Sequence, residues 1–87
     1  MSKSQPEKSL LYKVREILEK VKPERSSGLA EITSHLSKDL GLDSLDIVEF
    51  VLLLEWNFKI SISDHEAENL STVAQAIELV QMKRRED

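Results

Sequence analysis

Cysteine is absent from the sequence. That excludes a disulfide framework, a thiolate nucleophile and a cysteine-bound zinc. Histidine occurs only as His35 and His65, too far apart for a metal pair one helical turn long. With Gly28 and Gly41 as the only glycines, no Gly-rich phosphate loop can be built. No apolar run approaches the ~18 residues of a membrane span. The opening Met1-Ser2-Lys3-Ser4-Gln5-Pro6 has neither an apolar signal region nor an Arg-rich amphipathic leader. The expectation is a cytoplasmic protein without membrane insertion, or an organellar one whose transit peptide has been omitted. Lys and Arg number 12 against 16 Asp and Glu, a net charge of −4. Nucleic-acid binding needs a basic face, so no nucleic-acid partner is expected and basic protein partners are favoured. The 87 residues allow one small domain with a modest core.

Apolar periodicity organises what remains. Residues 1–8 are polar, contain Pro6 and read as a flexible N-terminal tail. Leu10, Leu11, Val14, Ile17, Leu18 and Val21 recur at helical spacing, with Ser9 as the expected N-cap and Pro23 as the stop. Residues 23–43 form a connection of unusual length, and such connections are often functional. Within it Ser26-Ser27-Gly28 reads as a turn, Ile32, Leu36 and Leu40 are spaced to pin it to the core, and Gly41 supplies a turn before the next helix. Asp43–Phe58 reads as the second helix, opened by a capping box with Asp43 and Asp46 at its two ends. Asp64–Leu70 reads as a short third helix capped by Asp64. Ser71 or Thr72 caps a last helix through Val73, Ile77 and Val80. Residues 59–63 alternate but have no strand partner in sight. The fold class is all-α: a four-helix bundle, three longer helices and one short, with a long loop between helices 1 and 2. The folded domain spans 9–82, and 83–87 form a charged C-terminal tail.

The second helix is apolar nearly all round. At about 100° per residue, Ile47, Phe50, Val51, Leu54 and Phe58 share one face, the expected core face. Leu45, Val48, Leu52 and Trp56 fall on the other, beside Asp46 and Glu49. A helix of this kind is normally buried all round, which a small bundle cannot arrange. Either part of the surface is exposed as a partner site, or the loop of residues 23–43 covers it.

The segment Asp39-Leu40-Gly41-Leu42-Asp43-Ser44-Leu45-Asp46 closely resembles the prosthetic-group site of acyl carrier proteins. Val48-Glu49, Leu54-Glu55, Phe58, Ile62, Asp64, Glu66-Ala67-Glu68, Leu70, Thr72-Val73 and Ala76-Ile77 continue the match at the family spacing. It covers about residues 36–80, while residues 9–35 match only in pattern. The resemblance implies that Ser44 is esterified with 4′-phosphopantetheine from coenzyme A by a phosphopantetheinyl transferase. The arm ends in a thiol that carries acyl groups as thioesters. Read without the resemblance, Ser44 is better taken as an ordinary helix cap. A helix start favours an anion there, and no histidine stands at a readable spacing to make Ser44 a catalytic nucleophile.

The resemblance further implies that Asp43, Asp46, Glu49 and Glu55 meet Arg and Lys of partner enzymes, with Leu45, Val48 and Leu52 as the apolar centre of the same surface. Trp56 either joins that surface or packs on the third helix. Departures from the family pattern are Trp56 and Asn57 at commonly acidic positions, Ser63 where proline is usual, and the added charges of Lys59 and Lys83-Arg84-Arg85. The implied function is that of a monomeric, non-enzymatic carrier delivering acyl intermediates to fatty-acid synthesis enzymes. Alternatives are a specialised carrier of polyketide, lipid A or aminoacyl units, and an acylated structural subunit of a mitochondrial assembly.

Overall fold

A computed structural model of the chain describes residues 6–23 and 33–85. Four helices follow one another: α1 (Pro6–Val21), α2 (Ser44–Phe58), α3 (Asp64–Glu68) and α4 (Val73–Arg85). No strand occurs among the described residues, and the alternating segment 59–63 is a connection in which Ile62 is buried and Ser61 and Ser63 are exposed. Helix α1 packs on α2 and α4, and α2 also touches α3 and α4. The expected all-α bundle with one short helix is therefore the architecture observed.

The core follows from the apolar periods. Val14, Ile17, Leu18 and Val21 of α1 are buried with Phe50, Val51 and Leu54 of α2 and Val73, Ala76, Ile77 and Val80 of α4. Ile47 and Phe58 are only partly buried against this cluster. Phe58 was expected to be a core partner of Phe50, but it lies at the rim, with the Arg84 guanidinium 5.8 Å from its ring centre.

Several boundaries differ from the sequence reading. Helix α1 begins at Pro6, so Ser9 lies inside it rather than at its cap. Proline suits a first helical turn because its missing amide hydrogen would have no partner there. Helix α3 is capped by Ser63, not Asp64. The Ser63 hydroxyl accepts the Glu66 amide at 3.1 Å, and Glu66 returns a carboxylate to the Ser63 amide at 2.9 Å. Helix α4 extends through Arg85, so the first three residues of the expected tail are helical. Its start is a third reciprocal cap, in which the Thr72 hydroxyl and the Gln75 amide side chain each take the other's backbone N–H at 3.2 Å.

The second half of the long connection is fixed to the body of the bundle. Leu36 is fully buried and Leu40 packs against the core. Leu36 N–H donates to the Ser71 carbonyl at 2.7 Å, and Val73 N–H donates to Ser34 at 3.0 Å. The His35 ring nitrogen Nδ1 accepts the amides of Ser37 and Lys38, each at 3.2 Å, so His35 organises the turn that follows it. Gly41 ends that turn at φ 77°, a left-handed conformation that glycine adopts without a Cβ clash. The chain then enters α2. Ser26-Ser27-Gly28 and Ile32, also expected to shape this connection, lie outside the described residues.

Candidate functional site

The start of α2 is built by two aspartates bonded to each other's backbone. Asp43 Oδ1 accepts the Asp46 amide at 2.9 Å, and Asp46 Oδ2 accepts the Asp43 amide at 3.1 Å. This is the capping box expected from the sequence, and it settles one alternative. The cap is Asp43, so Ser44 is the first helical residue, exposed to solvent.

A groove of about 450 Å³ opens beside Ser44. Ser44, Ile47 and Val48 of α2 line one side, with Ala67 of α3 and Leu70 just after it on the other. An elongated apolar group attached at Ser44 would find this groove next to its point of attachment. Among the described residues no cluster of His, Asp and Glu could hold a metal ion, and no helix is long and apolar enough to cross a membrane.

Beyond the groove, whose edge Val48 shares, the outer face of α2 is exposed. Leu45 is 79% exposed, Val48 55%, Leu52 57% and Trp56 81%. At helical spacing they form one stripe along the whole helix. The described part of the connection, residues 33–43, therefore does not cover this face, and Trp56 does not pack on α3. Lone exposed apolar residues are unremarkable, but a continuous stripe is the kind of surface that meets a partner.

The four carboxylates assigned to this face behave differently from one another. Asp43 and Glu49 are exposed. Asp46 is turned inward, where its Oδ2, besides accepting the Asp43 amide, lies 2.9 Å from Lys22 Nζ. Glu55 accepts the Ile62 amide at 2.7 Å, so its carboxylate holds the α2–α3 connection. Two of the four residues thus have work inside the fold that sequence reasoning did not assign. The Asp46–Lys22 contact joins residues 24 positions apart, and no local pattern announces it. The Glu55–Ile62 bond depends on the chain reversing after Lys59, which caps α2 in the left-handed region at φ 56°. A non-glycine residue there costs roughly 1–2 kcal/mol. Among the basic residues near the C-terminus, Lys83 is paired with Glu66 at 3.0 Å.

The comparisons with known proteins agree with this geometry. The family described as "Phosphopantetheine attachment site" matches residues 13–80. An acyl carrier protein of Cyanidium caldarium is 49% identical over 49 residues, 56% of this chain and 57% of that one. One from Prochlorococcus marinus (strain MIT 9515) is 43% identical over 58 residues, 67% of this chain and 72% of its own. The crystal structure of an acyl carrier protein from Thermotoga maritima has a TM-score of 0.85 at 27% identity, over 98% of both chains. The chain belongs to the phosphopantetheine-attachment family of acyl carrier proteins. The match spans little more than half the length of the Cyanidium relative.

The start of α2 fits the group that this family carries covalently. It offers an exposed hydroxyl at a helix start, where backbone amides and the helix dipole favour a phosphodiester. The nearest inward carboxylate, Asp46, has its charge balanced by Lys22, and the adjoining groove is partly apolar.

Two carboxylates of the fold make stability depend on pH. Asp46 is held below its ordinary range, first by the hydrogen bond from Lys22 and then by the Asp43 amide. Glu66 is held low first by the Ser63 amide and then by Lys83. A carboxyl that is more acidic folded than unfolded stabilises the fold fully above its unfolded value, about pH 4. That contribution is lost as the pH falls through the lowered folded value. Asp46→Asn should therefore lower the urea midpoint most above about pH 5 and progressively less toward about pH 3. A gap that stays constant across that range would contradict the assignment.

Proposed function

We propose that the protein is an acyl carrier in which Ser44 is the attachment point of 4′-phosphopantetheine and α2 is the surface read by its partner enzymes. One observation carries the reading. Ser44 is left free of the capping role by Asp43 and stands exposed between a groove able to receive cargo and the uncovered stripe Leu45, Val48, Leu52 and Trp56. When attached, the group supplies a terminal thiol that holds acyl units as thioesters. The chain's residues supply position and recognition. Asp43 and Asp46 fix the first turn of α2, so the hydroxyl of Ser44 faces solvent, where a phosphopantetheinyl transferase can reach it. Ile47, Val48, Ala67 and Leu70 offer apolar contact to an acyl chain leaving that turn. Asp43 and Glu49 flank the stripe with negative charge, which complements basic patches on partners and speeds encounter. The chain itself performs no catalysis in this reading.

The acyl units belong to fatty-acid synthesis. A specialised carrier of polyketide, lipid A or aminoacyl units is the second reading. The far end of α2 favours it, because Trp56 is 81% exposed there and Glu55 is tied to Ile62. That end offers partners an aromatic side chain and Lys59 rather than carboxylates. Identifying the acyl species bound to chain recovered from its host would separate the two readings.

Incubation with coenzyme A and a broad-specificity transferase should add one arm by intact mass, and Ser44→Ala should add none. An arm that persists on Ser44→Ala would overturn the assignment.

The docking surface has its own test. Glu49→Lys should slow modification of Ser44, with a deficit that shrinks as salt is raised, because screening removes the new repulsion together with the lost attraction. Val48→Ser should also slow it, with little dependence on salt. Wild-type rates for both variants at low salt would show that recognition lies elsewhere. Asp46 is unsuited to this test, since reversing its charge would break the cap and the Lys22 contact as well.

A further inference from the structure

Asp46 is the third residue of α2, in the first turn of a helix whose exposed apolar stripe is flanked by carboxylates, yet its charge is already taken. Its Oδ2 accepts the Asp43 amide at 3.1 Å and lies 2.9 Å from the ammonium of Lys22. The two side chains are only 16% and 22% accessible, so the pair is partly withdrawn from water. Lys22 sits one residue beyond α1. Its backbone N–H still donates to Leu18 at 2.8 Å, and Pro23 then ends the helical run. The residue is thus held by the helical end, with its side chain spanning from the end of α1 to the start of α2, two segments separated in sequence by the whole long connection.

We propose that Lys22 is a positioning residue that masks Asp46, acting as an internal competitor for the cationic side chains of basic partners that dock beside Ser44. The inference rests on the proposed role of Ser44 and deepens it by naming which charges on α2 are open to a partner. With Lys22 in place, Asp43 and Glu49 are the open carboxylates at that end of the helix. A partner reaching Asp46 must displace Lys22 and gains only the difference between two similar ion pairs. An intramolecular cation has the advantage of effective concentration, because it need not diffuse to its site. The masking therefore weakens docking by any partner that reaches Asp46 along with Glu49 and the apolar stripe, as a transferase closing on the adjacent Ser44 does, and leaves unaffected those that do not contact Asp46. The Asp46 carboxyl is held below its ordinary carboxylate range, first by the hydrogen bond from Lys22, which accords with a pair that persists at neutral pH.

The test measures modification of Ser44 by a broad-specificity phosphopantetheinyl transferase with coenzyme A at low salt. Lys22→Met keeps the apolar stem and removes the charge. It should lower KM for the carrier by up to about fivefold, the factor that an exposed ion pair allows, with kcat unchanged. Lys22→Gln should do the same, which keeps the test open if the methionine variant loses helix by circular dichroism. Lys22→Arg should keep the wild-type KM. In an Asp46→Asn background, which retains an oxygen for the Asp43 amide, Lys22→Met should have no effect on KM. A role in holding the fold alone predicts the opposite sign, with slower modification and no lower KM. An unchanged or raised KM for both neutral variants, with the wild type modified normally, overturns the inference while leaving the role of Ser44 intact. A wild-type chain that takes no arm overturns the role of Ser44 and the inference together.

Discussion

Helix α2 carries more apolar surface than one side of a small bundle can bury, and the rest of the molecule is arranged around that constraint. Phe50, Val51 and Leu54 go into the core. Ile47 lines the groove toward α3. Leu45, Val48, Leu52 and Trp56 remain outside. Leaving them there forgoes burial worth about 25 cal/mol per Å², so the exposed stripe is a standing cost in stability and solubility. The docking role proposed for this face, in which other proteins intermittently cover it, would account for a helix of this composition.

The position of Ser44 depends on bonds made by its neighbours rather than by Ser44 itself. Asp43 caps the helix and Asp46 closes the reciprocal bond. Lys22 balances Asp46 from the end of α1. The approach to the helix is fixed as well, through buried Leu36, the His35 turn, the backbone bonds to Ser71 and from Val73, and Gly41 at its exit. Ser63–Glu66 and Thr72–Gln75 repeat the same capping device at α3 and α4. Three helix starts are thereby set by short-range reciprocal bonds, and α3, only five residues long, can stand at the groove despite the cost of nucleating so short a helix.

What could be read in advance were features written locally. The periodicity of α1, the two-faced character of α2, the Asp43–Asp46 box and the turn at Gly41 each depend on residues within one or two turns of one another. The cap of α3 was misplaced by one residue because Ser63 and Asp64 are both good caps, and the choice fell to which of them has an acidic partner three residues on. Ser63 has Glu66; Asp64 has Ala67. The start of α1 was set too late because a proline reads as a break, although it is compatible with a first turn. The inward roles of Asp46 and Glu55 were illegible for a different reason. Their partners, Lys22 and the Ile62 amide, reach them only after the chain has folded back, and on a helical wheel both residues look like ordinary solvent-facing acids. Trp56 was ambiguous until the position of α3 was known.

The central claim is that Ser44 at the head of α2 joins an attachment point to a groove on one side and a docking stripe on the other. The most direct measurement compares backbone amide NMR spectra of the unmodified chain, the chain bearing the arm, and the chain bearing an arm loaded with a medium-length acyl group. The account predicts that attachment perturbs residues at the start of α2. Loading should then shift Ile47, Ala67 and Leu70 around the groove while leaving Leu52 and Trp56 unmoved. Acyl-dependent shifts confined to the outer stripe, or absent from the groove altogether, would contradict it.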